Sequence, residues 1–275
     1  EIDALCFPVA DGGEGTVDAF YRILGGQIIT LSVTGPSFSP VTAKYIILED
    51  GKTAVIEVAT ASGLTLVGDV KTPMNTTSYG TGELISDAIR RGCRHILLGL
   101  GGSATNDGGV GILSALGIMF TNSFGDKIIP TGGGLKALYQ IDAGKINEDI
   151  QECHFTILCD VENLLCGEKG ASAVFGPQKG ASPDEVIALD NNLNHFAKHI
   201  KIATGKDVLT VKGGGAAGGI AAGMAGFLNT EIKSGIKALL ELGDFAGKAS
   251  GSDLIITGEG RIDSQSAYGK VPSGI

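Results

Sequence analysis

Three stretches with the apolar character of strands, residues 4–9, 95–100 and 253–257, each run into a loop that mixes glycine with carboxylates. The loops are Ala10-Asp11-Gly12-Gly13-Glu14-Gly15-Thr16, the segment 99–109, and Thr257-Gly258-Glu259-Gly260-Arg261-Ile262-Asp263. Such loops reverse the backbone sharply and let it approach its surroundings closely, which glycine tolerates best. Glycine supplies 44 of the 275 residues, about 16% against a usual share of roughly 7%, and no three-residue period runs through it, which excludes a collagen-like fibre. The first loop is followed by apolar positions Val17, Phe20, Ile23 and Leu24 at helical spacing, with Gly25 and Gly26 placed to end the helix.

The same alternation recurs further on. Segment 28–33 reads as a strand, and segments 43–48 and 54–58 form a hairpin through the turn signal Asp50-Gly51. The spacing predicts an amphipathic helix over 82–91 and a short buried strand over 155–161. Ser182-Pro183-Asp184-Glu185 is a capping box with proline at the first helical position, ahead of a long helix whose inner face is Val186, Leu189, Leu193, Phe196 and Ile200. Segment 213–226 is so rich in Gly and Ala that a helix there packs tightly on a neighbour or covers a ligand. Strands alternating with helices predict the α/β class, and the hairpin region interrupts the pattern in a way that suggests two domains.

A net charge of −9 without clustered Lys and Arg argues against a nucleic-acid partner, because a polyanion is held by neutralising its phosphates. No apolar run reaches the roughly 18 residues that span a bilayer and no basic leader opens the chain, so no membrane partner is expected and the expected setting is cytoplasmic. Cys6, Cys93, Cys153, Cys159 and Cys166 lack metal-site spacing and read as free thiols. The four histidines have no motif partner.

Segment 99–109, Gly-Leu-Gly-Gly-Ser-Ala-Thr-Asn-Asp-Gly-Gly, lies between a strand and a helical pattern. Amides at a helix N-terminus, with the Ser103 and Thr105 hydroxyls, would favour a phosphate, and Asp107 would hold magnesium or orient a nucleophile. A plain strand-to-helix turn with an N-cap at Thr105, Asn106 or Asp107 explains the residues equally well. No Gly-Lys-Ser or Gly-Lys-Thr is present, so this is not a P-loop. Asp160 stands at the carboxyl end of its strand, where open parallel sheets place ligands. Lys179, in the turn Phe175-Gly176-Pro177-Gln178-Lys179-Gly180, is either a solvated loop lysine or a cation beside transferring phosphate. Arg261 would clamp a carboxylate or phosphate, or pair with Asp263 across its turn.

In their shared order these blocks resemble the bacterial glycerate kinase family, the two-domain α/β kinases unrelated to P-loop enzymes. The resemblance rests on residues 8–16, Val55-Ile56-Glu57-Val58-Ala59 with Ala61-Ser62-Gly63-Leu64, and residues 76–83 and 99–109. Cys159-Asp160-Val161 and residues 170–180 and 257–263 complete it. One departure is Asn163-Leu164-Leu165-Cys166-Gly167, where the family usually has Asn-Pro-Leu-Cys-Gly. The resemblance implies a Rossmann-like parallel-sheet domain with a second, inserted α/β domain containing a mixed sheet. Residues 1–27 and 252–275 would belong to the first and 28–251 to the second. It also implies that the family's first strand precedes Glu1 and that more of the fold follows Ile275.

The implied reaction is ATP-dependent phosphorylation of glycerate with Mg2+, on a small-molecule substrate, with a homo-oligomer left open. On this reading Gly101, Gly102, Ser103 and Thr105 hold phosphate, and Asp107 and Asp160 bind metal or activate the hydroxyl. Lys179 and Arg261 meet anionic oxygens, while Asp11, Glu14, Glu259 and Asp263 face the substrate. A rival reading takes Gly99-Leu100-Gly101-Gly102-Ser103-Ala104 as the dinucleotide fingerprint of a dehydrogenase, although no strand ending in an acid follows about 20 residues on. A second rival is a glycine-rich protein that binds ATP or an acid without turnover.

Overall fold

The computed structural model describes residues 4–68, 72–144 and 146–258. After α1 (Thr16–Leu24) come β1 (Gln27–Thr34), β2 (Pro40–Ile47), β3 (Thr53–Glu57), α2 (Val58–Ser62) and α3 (Tyr79–Arg90). Then follow β4 (His95–Gly99), α4 (Val110–Ala115), β5 (Met119–Thr121), β6 (Gln140–Asp142), α5 (Glu148–Gln151) and β7 (His154–Leu158). The described chain closes with α6 (Ala171–Phe175), α7 (Pro183–Thr204), α8 (Ala216–Phe227), β8 (Thr230–Lys233), α9 (Gly235–Leu242) and α10 (Phe245–Ala249).

One six-stranded sheet runs β1-β2-β3-β4-β7-β8, and β5 pairs with β6 in a separate small sheet. β1, β2 and β3 are joined by antiparallel hairpins, whereas β3, β4, β7 and β8 are parallel. The chain is therefore α/β with a mixed, mostly parallel central sheet. The Asp50-Gly51 turn closes as its residues predict: Gly51 takes φ 65°, and the Asp50 carboxylate accepts from Lys52 N, Thr53 N and the Thr53 hydroxyl at 2.6–2.8 Å.

Both faces of the parallel half are covered, so its strands are nearly continuous in apolar residues. Ile56, Ile96, Leu98, Phe155 and Ile157 face a large core shared with α3, α4, α7 and α8. Val55, Leu97 and Leu158 point the other way, into a smaller core with Val17 and Phe20 of α1 and Ala238 and Leu239 of α9. The described part of residues 1–27 thus lies against the sheet built from 28–251. No helix among the described residues is long and apolar enough to cross a membrane.

Several expected elements differ. Residues 4–9 and 253–257 form no strand among the described residues. Apolar composition alone provides no partner, and Phe7 instead packs edge-on against Phe245 at 5.1 Å. The strand expected over 155–161 ends at Leu158, so Asp160 sits two residues beyond it in a loop. The helix expected from 213 starts at Ala216 and is broken at once by left-handed Ala217, Gly218 and Gly219. Gly218 presses against the backbone of Thr105 and Asn106, with no room for a side chain.

Candidate active site

The carboxyl ends of β3, β4, β7 and β8 share one edge of the sheet, and a cavity of about 690 Å³ opens there. Two glycine loops form its floor. Gly12 and Gly13, leading into α1, lie against Gly99 and Gly101, and Gly101 N donates to Gly12 O at 2.9 Å. The second loop is pinned on its far side by Ala104 N to Ser62 O at 2.9 Å and Leu64 N to Gly102 O at 2.8 Å. Among the described residues the Gly102 and Ser103 amides donate to no protein acceptor. Free amides on a glycine-rich cavity wall are an anion-binding surface.

Lys179 reaches this loop from the other side. It follows α6 in a short 3₁₀ turn closed by left-handed Gly180, and the residue is only 3% exposed. Its Nζ donates to Ser103 Oγ at 2.8 Å and to Thr105 O at 2.6 Å. Burial pushes the amine down to about 7, against the pull of the Asp107 charge. Lys179 is therefore not a solvated loop lysine.

Asp160 and Asp11 form the acidic wall of the same cavity. Asp160 Oδ2 is buried without a hydrogen-bond partner, and so is Ser234 Oγ. Burial holds the Asp160 carboxyl above the usual range, with Ser234 working against the rise from outside hydrogen-bonding geometry and the Asp11 charge adding to it. Asp11 Oδ1 accepts from Gly13 N at 3.2 Å, which orients the carboxylate over its own glycine turn.

Asp107 lies apart from this cavity. It lies outside the cavity lining, fully buried, with its carboxylate accepting from Ser78 N, Ser78 Oγ, Gly109 N and Gly111 N at 2.7–3.3 Å. Burial raises its pKa and these bonds resist the rise. Three of these donors meet Oδ2 and one meets Oδ1, so the carboxylate is committed to tying α4 to α3 in the body of the fold. The amides at the start of α4 are engaged in the same way, Ile112 N by Ser78 Oγ at 3.1 Å. Thr105 is also off the cavity lining; its carbonyl holds Lys179 while its buried hydroxyl has no partner. Glu14 is exposed at the rim beside Gly102. Arg261, Glu259 and Asp263 lie outside the described residues.

Two contributors had no role in the sequence reading. Glu57, buried at the end of β3, accepts from Val17 N at 2.6 Å and fixes the start of α1 beneath the Gly12 loop. Ser234, just after β8, faces Asp160. Nothing local marks either one, since each acts on a residue far away in the chain.

The family model for the glycerate kinase family matches residues 1–275. The chain belongs to that family. A glycerate kinase from Bacillus subtilis (strain 168) is 47% identical over 98% of this chain and 70% of its own length. A glycerate 2-kinase from Escherichia coli (strain K12) is 48% identical over 98% of this chain and 71% of its own. A crystal structure of a Salmonella typhimurium LT2 protein assigned to glycerate kinase 2 superposes with a TM-score of 0.91 at 45% identity, covering 98% of this chain and 72% of that one. Family membership displaces the dehydrogenase reading, and so does the geometry. α4 starts six residues after Ala104 with its amides already capped, whereas a dinucleotide fingerprint opens directly into a helix.

Proposed function

We propose that this chain catalyses transfer of the terminal phosphoryl group of ATP to a hydroxyl of glycerate, in the cavity at the carboxyl edge of the parallel strands. The observation that carries the reading is the meeting of two opposite chemistries there. Free amides of Gly102 and Ser103 and the Lys179 amine would receive phosphate oxygens, and the carboxylates of Asp160 and Asp11 line the same cavity. Phosphoryl transfer needs positioning and charge stabilisation more than covalent help, and such an arrangement supplies both.

The acidic wall fits Mg2+. That ion takes one or two carboxylates and completes its shell with water and phosphate, and Asp160 carries a buried oxygen without a partner. No group of three His, Cys, Asp or Glu suited to an all-protein cage is present among the described residues. When bound, the ion would neutralise charge on the transferring phosphate. Asp160 and Asp11 would hold it, which moves the metal role away from Asp107. Asp160 would hold the ion or, where Asp11 holds it, take the proton of the acceptor hydroxyl as a general base.

Arg261, Glu259 and Asp263 keep their assignments to anionic oxygens and substrate as proposals, as do Glu14 at the rim and the division into 1–27 with 252–275 and 28–251. A cytoplasmic setting is proposed because ATP is the donor. Following the 2-kinase name of the E. coli relative, we take the 2-hydroxyl as acceptor. Proton-coupled phosphorus NMR of the product tests donor, acceptor and position together. Phosphate on the 2-oxygen neighbours one proton and gives a doublet, phosphate on the 3-oxygen gives a triplet, and unconsumed ATP with glycerate present would overturn the reading.

A further inference from the structure

We infer that Lys179 takes up a proton when an anionic phosphate donor enters the cavity, so that the site's cation is completed by the ligand rather than by the protein. The inference rests on the functional reading above and deepens it. A neutral lysine amine has two N–H bonds, and the protein offers it two acceptors, Ser103 Oγ and Thr105 O. Protonation creates a third N–H, for which the described residues supply no acceptor. Both acceptors are uncharged, and Lys179 joins no ion pair among the described residues. The protein therefore engages both N–H groups of the neutral amine and leaves the third N–H of the ammonium to what fills the cavity. It lines the cavity beside the free amides of Gly102 and Ser103, where a phosphate oxygen would provide that partner.

Among the described residues the surrounding charges agree. Asp107 is near enough to favour the ammonium, but its carboxylate is spent on Ser78, Gly109 and Gly111. Glu57 is engaged with Val17, and Glu185 on the first turn of α7 with Ser182. Asp184 and Glu14 are exposed. Asp11 and Asp160 hold the far wall, and a divalent cation arriving there would favour loss of a proton, the opposite sign. Burial leaves the amine near 7, and an anion within contact typically moves a neighbouring cation up by about one to three pKa units. The proton comes from solvent and no covalent bond changes.

Calorimetric titration of the whole protein with MgATP, without glycerate, in buffers of different ionisation enthalpy tests this. At pH 8, where MgATP is itself fully ionised, the expected result is uptake of about 0.4 to 0.9 proton per nucleotide, for a rise of one to three units from a group titrating near 7, falling to about 0.1 at pH 6. Lys179→Arg, permanently charged, should bind MgATP with no uptake at pH 8, and Lys179→Met should bind it more weakly, also without uptake. Wild-type binding with no proton uptake at pH 8, or wild-type uptake retained in either variant, overturns the inference. If glycerate is still phosphorylated while uptake is missing, only this inference fails. If MgATP does not bind and no phosphoglycerate forms, the functional reading fails and the inference falls with it.

Discussion

Asp107 accepts four hydrogen bonds in the body of the fold, whereas Asp160 keeps a buried oxygen without one at the cavity wall, so the same substitution at the two sites separates stability from turnover. Asp107→Asn turns an acceptor into a donor facing other donors and should cost about 1–3 kcal/mol in urea denaturation. Asp160→Asn removes a desolvated charge from beside Asp11 and should leave the unfolding midpoint unchanged or slightly raised, while cutting turnover at least about a hundredfold. Lys179 gives a pH signature. Its folded pKa of about 7 lies below the ordinary 10.5, so between those values the unfolded chain binds more protons and stability rises with pH. Relative to Lys179→Met, the wild type should gain about 1.4 kcal/mol per pH unit inside that window and nothing below it. Parallel urea titrations of the two proteins from pH 6 to 9.5 measure the slope, and equal pH dependence would contradict it. At this scale the sequence marked Asp160 and Lys179 through their loops, but it could not separate Asp107 from a ligand. The group that engages Asp107 is Ser78, 29 residues earlier, and only the fold brings the two together.

Elements with two independent signals were legible. α7 carries its capping box and its apolar period in register, and Ser182 and Glu185 exchange both expected bonds. The Asp50-Gly51 hairpin combined a turn signal with flanking apolar runs. β8 was not legible, because Thr230-Glu231-Ile232-Lys233 is a half-buried edge strand with a single apolar residue, and α9 follows it directly. The break at the start of α8 was also hidden, since it answers to the Thr105 carbonyl across the core rather than to its own sequence. The paired glycine loops make a prediction at this level. A Cβ on Gly101 would run into the backbone of Gly13, forcing the two loops apart. Gly101→Ala should therefore destabilise by about 1–3 kcal/mol and raise the KM for ATP. Gly51→Ala, where a Cβ meets nothing within 4 Å, should disturb only its own hairpin turn and leave that KM unchanged.

For the molecule as a whole, the α/β class followed from the alternation of strands and helices, and the glycine loops before α1 and after β4 meet at one edge of the sheet, although no strand leads into the first of them. The third, at 257–263, falls largely outside the described residues, so its share of the site is argued from the family alone. The parallel half of the sheet has helices on both faces and its ligand edge at the carboxyl ends, as the physics of such sheets requires. The chain spans about 70% of the length of the Bacillus subtilis relative, and all of the chain falls within the family model. We propose that this edge transfers phosphate from ATP to glycerate with Asp160 in the reacting centre. Glycerate-dependent ADP release, measured side by side for the wild type and Asp160→Asn at equal folded concentration, tests it most directly. The account predicts release that needs glycerate and Mg2+ in the wild type and falls at least about a hundredfold in the variant; equal rates in the two proteins, or release indifferent to glycerate, would contradict it.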